Sequence, residues 1–425
     1  MICKIQELKD FTSPRFVGHF GVISLFLFSL FFFPSVTFGL LTTEIFPWAL
    51  LVSMFYLKKL NYGFIITVSY LVLSAIYTVL ISGEVSILGE SIRSLASYLN
   101  SLFAFALVAS LSYMSICKLI NLVKVVFFGL IILGIVQYTG LVEPLDVFFK
   151  FLVPRASSTA LDFMNRGVTL LASEPARAGN ELIFLYIVVR ILISSKKNKF
   201  ISDVLLALYL VMIIQSAMAL GLYIIYLFII YRNKWSYFII PAIIYLIAVP
   251  FVNLDSFSGR SADLIREISL LSNFKEIGYL LVNNSGHRLI SIYSSFNYGA
   301  LTLVGGGVGN WMLASVEALE MTGIDLSTYN YFIINGNSEA VAIRSSGFMS
   351  NLVLDCGIVG LLIVLSYIIK NIKKYWSVSR ESQNIIILFF LKIFFVGSVG
   401  HPIAWVSTVL CLRYIKETVD HVKYL

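Results

Sequence analysis

The stretch "RGVTLLASEPARAG", Arg166 to Gly179, sets two guanidinium groups and the Glu174 carboxylate beside Pro175 at the entrance to an apolar run. A planar guanidinium grips phosphate oxygens through two parallel hydrogen bonds, so Arg166 and Arg177 suit a phosphate-bearing ligand. Proline fits the first helical turn, where its missing donor costs nothing, so a helix is expected to begin near Glu174. The amides and positive dipole end of that turn would attract an anion. Arg177 opposes the dipole there, a placement that needs either a bound anion or a plain ion pair with Glu174 or Glu181.

A second stretch, "HRLISIYSSFNYGALTLVGGGVGNW", supplies His287 and Arg288. A histidine titrating near neutrality can act as a general base, although a lone surface His more often has no role. The glycine run Gly305 to Gly309 lacks the Lys-Ser/Thr of a P-loop, which favours backbone flexibility between helices over a phosphate cradle. Further on, "RSSGFMSNLVLDCGIVGLL" carries Arg344 at its start and Asp355 inside its apolar run. A carboxylate at that depth is costly and is expected to bond a neighbouring helix. His401, in "VGHPIAW", either lines the same hollow as the arginines or caps a helix.

The elements that position these groups are membrane spans. The chain is 59% hydrophobic and only 13% charged, against about a quarter charged for a soluble protein. Stretches able to cross about 30 Å of hydrocarbon number about twelve: Phe16 to Leu40, Thr43 to Leu57, Phe64 to Ile81, Leu95 to Ile116, Val125 to Leu141, Glu181 to Ser194, Phe200 to Ile214, Ala217 to Tyr231, Tyr237 to Val252, Ser346 to Ile369, Asn384 to Val399 and Pro402 to Tyr414. The first is too long for a signal-peptide core and reads as a retained span. Lys58-Lys59, Lys118 with Lys124, Lys196 to Lys199, Arg232 with Lys234, Lys370 to Lys374 and the tail fall on one side with the N-terminus. By the positive-inside rule that side is cytoplasmic, and both termini with it.

Two outward segments are long, 142–180 and 253–344, and the chain forms one integral membrane domain over 1–425. In the first, Val147, Phe148, Phe151 and Leu152 repeat at helical spacing around Lys150, an interfacial pattern. Together the two hold Lys150, Arg155, Arg166, Arg177, Arg260, Arg266, Lys275, Arg288 and Arg344, mostly arginine where the inward loops are mostly lysine. The net charge of +8 is therefore a matter of membrane sidedness and outward anion binding, and nucleic acid is not an expected partner. Cys3, Cys117, Cys356 and Cys411 show no paired spacing, so neither a disulfide framework nor a zinc site is expected.

These three blocks, their order and the two long outward segments resemble the bacterial O-antigen polymerase (Wzy-type) and O-antigen ligase superfamily. Arg288 and Gly299 also match an arginine-to-glycine spacing of some polymerases. The resemblance implies an all-α polytopic, GT-C-like protein of the bacterial inner membrane, with short amphipathic helices in its periplasmic loops. It further implies a metal-independent, cofactor-free inverting glycosyltransferase. The donor would be a glycan on undecaprenyl diphosphate at the periplasmic face, with the lipid bilayer, a chain-length regulator and a flippase as partners. On this resemblance Arg166, Arg177 and Arg288 bind the diphosphate, and Glu174, His287 or the substrate itself takes the proton. Arg344, His401 and Gly299 line the cavity. Ligases tend to carry His at the outer end of the span after the large loop. Here stand Arg344, Ser345 and Ser346, which favours polymerase over ligase. A lipid-linked oligosaccharide flippase would instead place its charges within the spans and keep its loops short.

Overall fold

The computed structural model describes residues 61–82, 85–141, 167–172, 174–232, 274–397 and 399–423. The expected spans Phe16 to Leu40, Thr43 to Leu57 and Tyr237 to Val252 lie outside these residues, as do Arg166 and the interfacial stretch around Lys150. The described residues are helical, with no strand among them. In chain order the helices are α1 (Tyr62–Ser82), α2 (Val85–Ser110), α3 (Tyr113–Tyr138), α4 (Pro175–Arg190), α5 (Lys196–Tyr209, continued by a π turn Leu210–Ile214), α6 (Ala217–Tyr231), α7 (Phe274–Thr302), α8 (Trp311–Glu320), α9 (Asn330–Gly336), α10 (Phe348–Trp376), α11 (Arg380–Phe395) and α12 (Ile403–Lys423).

Four of them, α1, α2, α3 and α10, are long and apolar enough to cross a membrane. The other expected spans within the described residues are helical but shorter or more heavily charged. Serines set several boundaries by accepting a backbone N–H of the first turn: Ser112 before α3, Ser195 before α5, Ser216 before α6 and Ser379 before α11. The Ser112 cap corrects the expected span Leu95 to Ile116. The chain turns at Leu111 and Ser112, so Tyr113 onward belongs to the next helix, which carries Lys118 and Lys124 within it. Cys117 is held in a disulfide, contrary to expectation, because spacing reveals only clustered pairs; Cys356 and Cys411 are buried thiols.

Helix α4 is the hub. Leu182 to Val189 are buried without interruption, the signature of a helix enclosed on all sides, and α3, α6 and α12 pack around it. Nearby, Trp405 of α12 takes the edges of Phe105, Phe348 and Phe389 at centroid distances of 4.9–5.8 Å. Residues 167–172 pass into this core as well. Val168 N–H donates to the Ile213 carbonyl at 3.2 Å, and Gln137 Nε2 donates to the Leu170 carbonyl at 3.0 Å. Part of the segment 142–180 is thus interior and not an exposed loop.

At its last turn α4 is locked to α5, α6 and α11. Arg190 donates from Nε to Asp203 Oδ1 at 2.8 Å and from Nη2 to Oδ2 at 3.0 Å, a bidentate pair. Tyr186 and Tyr231 hydroxyls donate to the same carboxylate at 2.6 and 2.5 Å. Glu381 of α11 receives Lys199 Nζ at 3.0 Å and Arg190 Nη1 at 3.4 Å.

Helix α10 is broken at Gly357, whose φ of 64° and ψ of −170° interrupt the ladder. Four of the groups beside the break find partners outside the helix. Gly306 N–H donates to Leu354 O at 2.9 Å, Gly307 N–H to Asp355 O at 2.7 Å, and Val359 N–H to Leu303 O at 3.2 Å. The Tyr70 hydroxyl donates to Cys356 O at 3.0 Å. The glycine run is therefore neither a phosphate cradle nor a hinge. Gly305 and Gly307 adopt positive φ, and a Cβ on either would overlap α10 or Thr78, so glycine permits a backbone-to-backbone joint. Asp355, beside the break, accepts from the Tyr98 hydroxyl of α2 at 2.8 Å, the interhelical bond expected of it.

Candidate functional site

The beginning of α4 follows from its sequence. Glu174 is the N-cap residue with extended backbone and Pro175 is N1, as the proline predicts. The first turn offers fewer donors than expected, however. Pro175 has no N–H, and the amides of Arg177 and Ala178 both donate to the Glu174 carbonyl, at 3.1 and 3.0 Å. Anion attraction at this end therefore rests on the dipole and on the Arg177 side chain more than on backbone donors.

That turn forms one wall of a cavity of about 560 Å³. Arg177 and Glu174 enter from α4, His287 and Arg288 from α7, Arg344 from the strap before α10, and Arg93 from α2. Among the described residues that line it, four guanidinium groups face a single carboxylate, Glu174. The cavity lies where α4, α6 and α10 begin and where α11 turns into α12. The lysines at the start of α5 and the end of α10 are at the opposite end of the bundle.

Several contacts fix the arginines. Arg93, nearly fully buried, donates through Nη1 to both Glu90 oxygens at 2.8 and 3.0 Å. The Trp311 indole donates to Glu90 Oε2 at 3.2 Å. Arg344 sits over the Trp311 ring, 5.7 Å from its centroid, a cation–π distance, and donates to Ser94 Oγ at 3.2 Å. Arg288 Nη1 lies 3.2 Å from the Met218 sulfur. The His287 ring stacks on Tyr331 at 4.5 Å and 14°. The α11–α12 turn is pinned by Asn100 Nδ2 to Gly400 O at 2.9 Å and Ser101 Oγ to Val399 O at 2.8 Å.

The structure brings together Glu174, Arg177, His287, Arg288 and Arg344 and leaves two expected lining residues elsewhere. Gly299 lies in the crossing of α7 and α10, where a Cβ would overlap Val353, so its role is close helix packing. His401 stands behind the cavity in a separate hollow of about 20 Å³ that shares Arg177, Asn180 and Gly397 with it. Its Nε2 is 2.8 Å from Glu181 Oε1 of α4, so His401, in the turn before α12, stands against α4 behind the cavity wall.

Sequence reasoning missed Arg93, Trp311, Tyr331 and Asn180. Arg93 was detectable, since it belongs to the outward turn between two expected spans and stands three residues after Glu90. Asn180 is buried beside the cavity, with Nδ2 directed at the Met218 sulfur and Oδ1 without a hydrogen-bond partner among the described residues. No signal marked Trp311 or Tyr331. Comparison with protein families, curated proteins and solved structures finds no match to this chain.

Proposed function

We propose that this protein is an O-antigen-type polysaccharide polymerase, joining oligosaccharide repeat units carried on undecaprenyl diphosphate at the periplasmic face of a bacterial inner membrane. In this reading it is a GT-C-like, twelve-span protein with both termini in the cytoplasm. The observation that carries the reading is the meeting of Arg177, Arg288, Arg344 and Arg93 around one cavity beside Glu174 and His287. Such a cage is made for a multiply charged anion, and its volume lies in the range of ligand pockets.

In the reaction a hydroxyl oxygen of the acceptor sugar attacks the anomeric carbon of the donor. The bond from that carbon to the diphosphate oxygen breaks, and the lipid diphosphate leaves with the electron pair. Fixed guanidiniums stabilise that developing charge without reorganising. Glu174 takes the hydroxyl proton, with His287 as the alternative base. Arg344, Ser345 and Ser346 on the cavity wall stand where a ligase would carry its histidine, and this supports polymerase over ligase.

A gel of surface polysaccharide from a strain lacking the gene tests the assignment. A single repeat unit attached to the core is expected; polymer stranded on carrier lipid would make the protein a ligase, and an unchanged ladder would remove it from the pathway. The Glu174→Gln variant is expected to turn over roughly 10²–10⁴-fold more slowly with little change in KM. A wild-type rate would eliminate Glu174 as the base and leave His287 or the substrate itself.

A further inference from the structure

The segment after α7 reads as part of an aqueous outward loop, but it is seated well below the outer ends of two spanning helices. Val308 N–H donates to Ser74 Oγ of α1 at 3.3 Å, and Ser74 is eight residues before the end of α1. At 1.5 Å per residue that is about 12 Å beneath it. The same turn fills the break at Gly357, nine residues into α10, about 13 Å below its start by the same rise. The interval from Phe348 to Lys370 of α10 is about 33 Å by that rise, close to the hydrocarbon thickness, so Phe348 marks the outer boundary. The end of α1 agrees, because Leu80 and Ile81 in its last turn are exposed and apolar.

The surface of the segment matches that depth. From Gly286 to Asn310 the exposed residues are Leu289, Tyr293, Ala300, Leu301, Leu303 and Val304, with no charge among them. Helix α8 then begins with exposed Met312 and Leu313 and ends with exposed Glu317 and Glu320, a gradient from apolar to acidic along its length. Leu301 and Leu313 are each 65% exposed, comparable to Leu73 at 63% on the spanning helix α1. Irregular backbone at such depth is tolerated only where protein satisfies its polar groups, and α10 with Ser74 does so here.

We propose that residues 299–313 form a re-entrant element that dips into the outer half of the membrane, with Leu301, Leu303, Val304, Met312 and Leu313 in contact with acyl chains. Arg288, eleven residues up α7, then lies about 16 Å above Gly299 by the helical rise, at the headgroup level. This rests on the spanning character of α1 and α10 and is independent of the enzymatic reading.

The test places a fluorescent unnatural amino acid at Leu303, Leu313, Glu320 or Leu73 of the full-length protein in phosphatidylcholine vesicles. Quenching by phospholipids brominated on their acyl chains is then measured. Probes at Leu303 and Leu313 are expected to be quenched like the probe at Leu73 and several-fold more than the probe at Glu320. Quenching at Leu303 and Leu313 no greater than at Glu320 would overturn the proposal, whether their emission reports water or a protein cover.

Discussion

Replacing Arg177 or Arg288 by alanine is expected to lower the rate of chain extension roughly 10²–10³-fold, the cost of removing one preorganised donor from a developing anion. Folded protein should not decline with it. Both side chains are only partly buried and share the cavity with two further guanidiniums, so each substitution relieves repulsion among like charges in the unliganded protein. Activity assayed with lipid-linked repeat units should therefore fall while Tm stays level or rises, as at sites where function opposes stability. Arginine-to-lysine exchange should restore only part of the rate, since an ammonium keeps the charge and loses the two-pronged geometry. A parallel drop in Tm and activity would make these residues structural and undo the cavity as a phosphate site.

The opposite pattern is expected at the far end of the bundle. Asp203→Asn leaves the Arg190 guanidinium buried without its counter-charge: one amide oxygen still accepts, and an NH2 donor takes the place of an oxygen that receives both an Arg190 N–H and a tyrosine hydroxyl. Breaking a buried pair from one side costs about 3–5 kcal/mol, so a marked fall in Tm and in membrane-inserted protein should follow. Glu381→Gln, at the half-exposed rim of the same network, should cost under about 1 kcal/mol. Equal effects of the two would mean that the Arg190–Asp203 pair contributes no more than a surface contact.

The residues legible in the sequence were those whose meaning is local or set by membrane side. Pro175 after Glu174 marked the start of α4, and Arg177, Arg288 and Arg344 stood out because outward segments seldom gather arginine. Asp355 was read correctly as an interhelical hydrogen bond because a carboxylate in an apolar run has few other options. The features that escaped depend on partners distant in the chain. The Gly305 to Gly309 run acquires its purpose from the break at Gly357, and nothing in "LDCGIVGLL" marks that break, since its apolar run continues unbroken. Gly299 owes its identity to Val353, and Trp311 owes its place to Glu90. Leu111 and Ser112 divide a stretch that hydropathy reads as continuous, because a single capping serine ends a helix without lowering the average.

Because α4 is enclosed from Leu182 to Arg190 and fastened at its last turn, the cavity wall formed by Glu174 and Arg177 at its first turn is carried on the most constrained helix among the described residues. The facing wall is assembled from separate pieces: His287 on α7, Trp311 on the short helix α8, Tyr331 on the short helix α9 and Arg344 on the strap before α10. Under the polymerase reading, a change of repeat unit on the same carrier would fall more easily on that side. On that reading, residues 311–344, which carry Trp311, Tyr331 and Arg344, are the segment whose exchange is expected to alter which sugar is accepted.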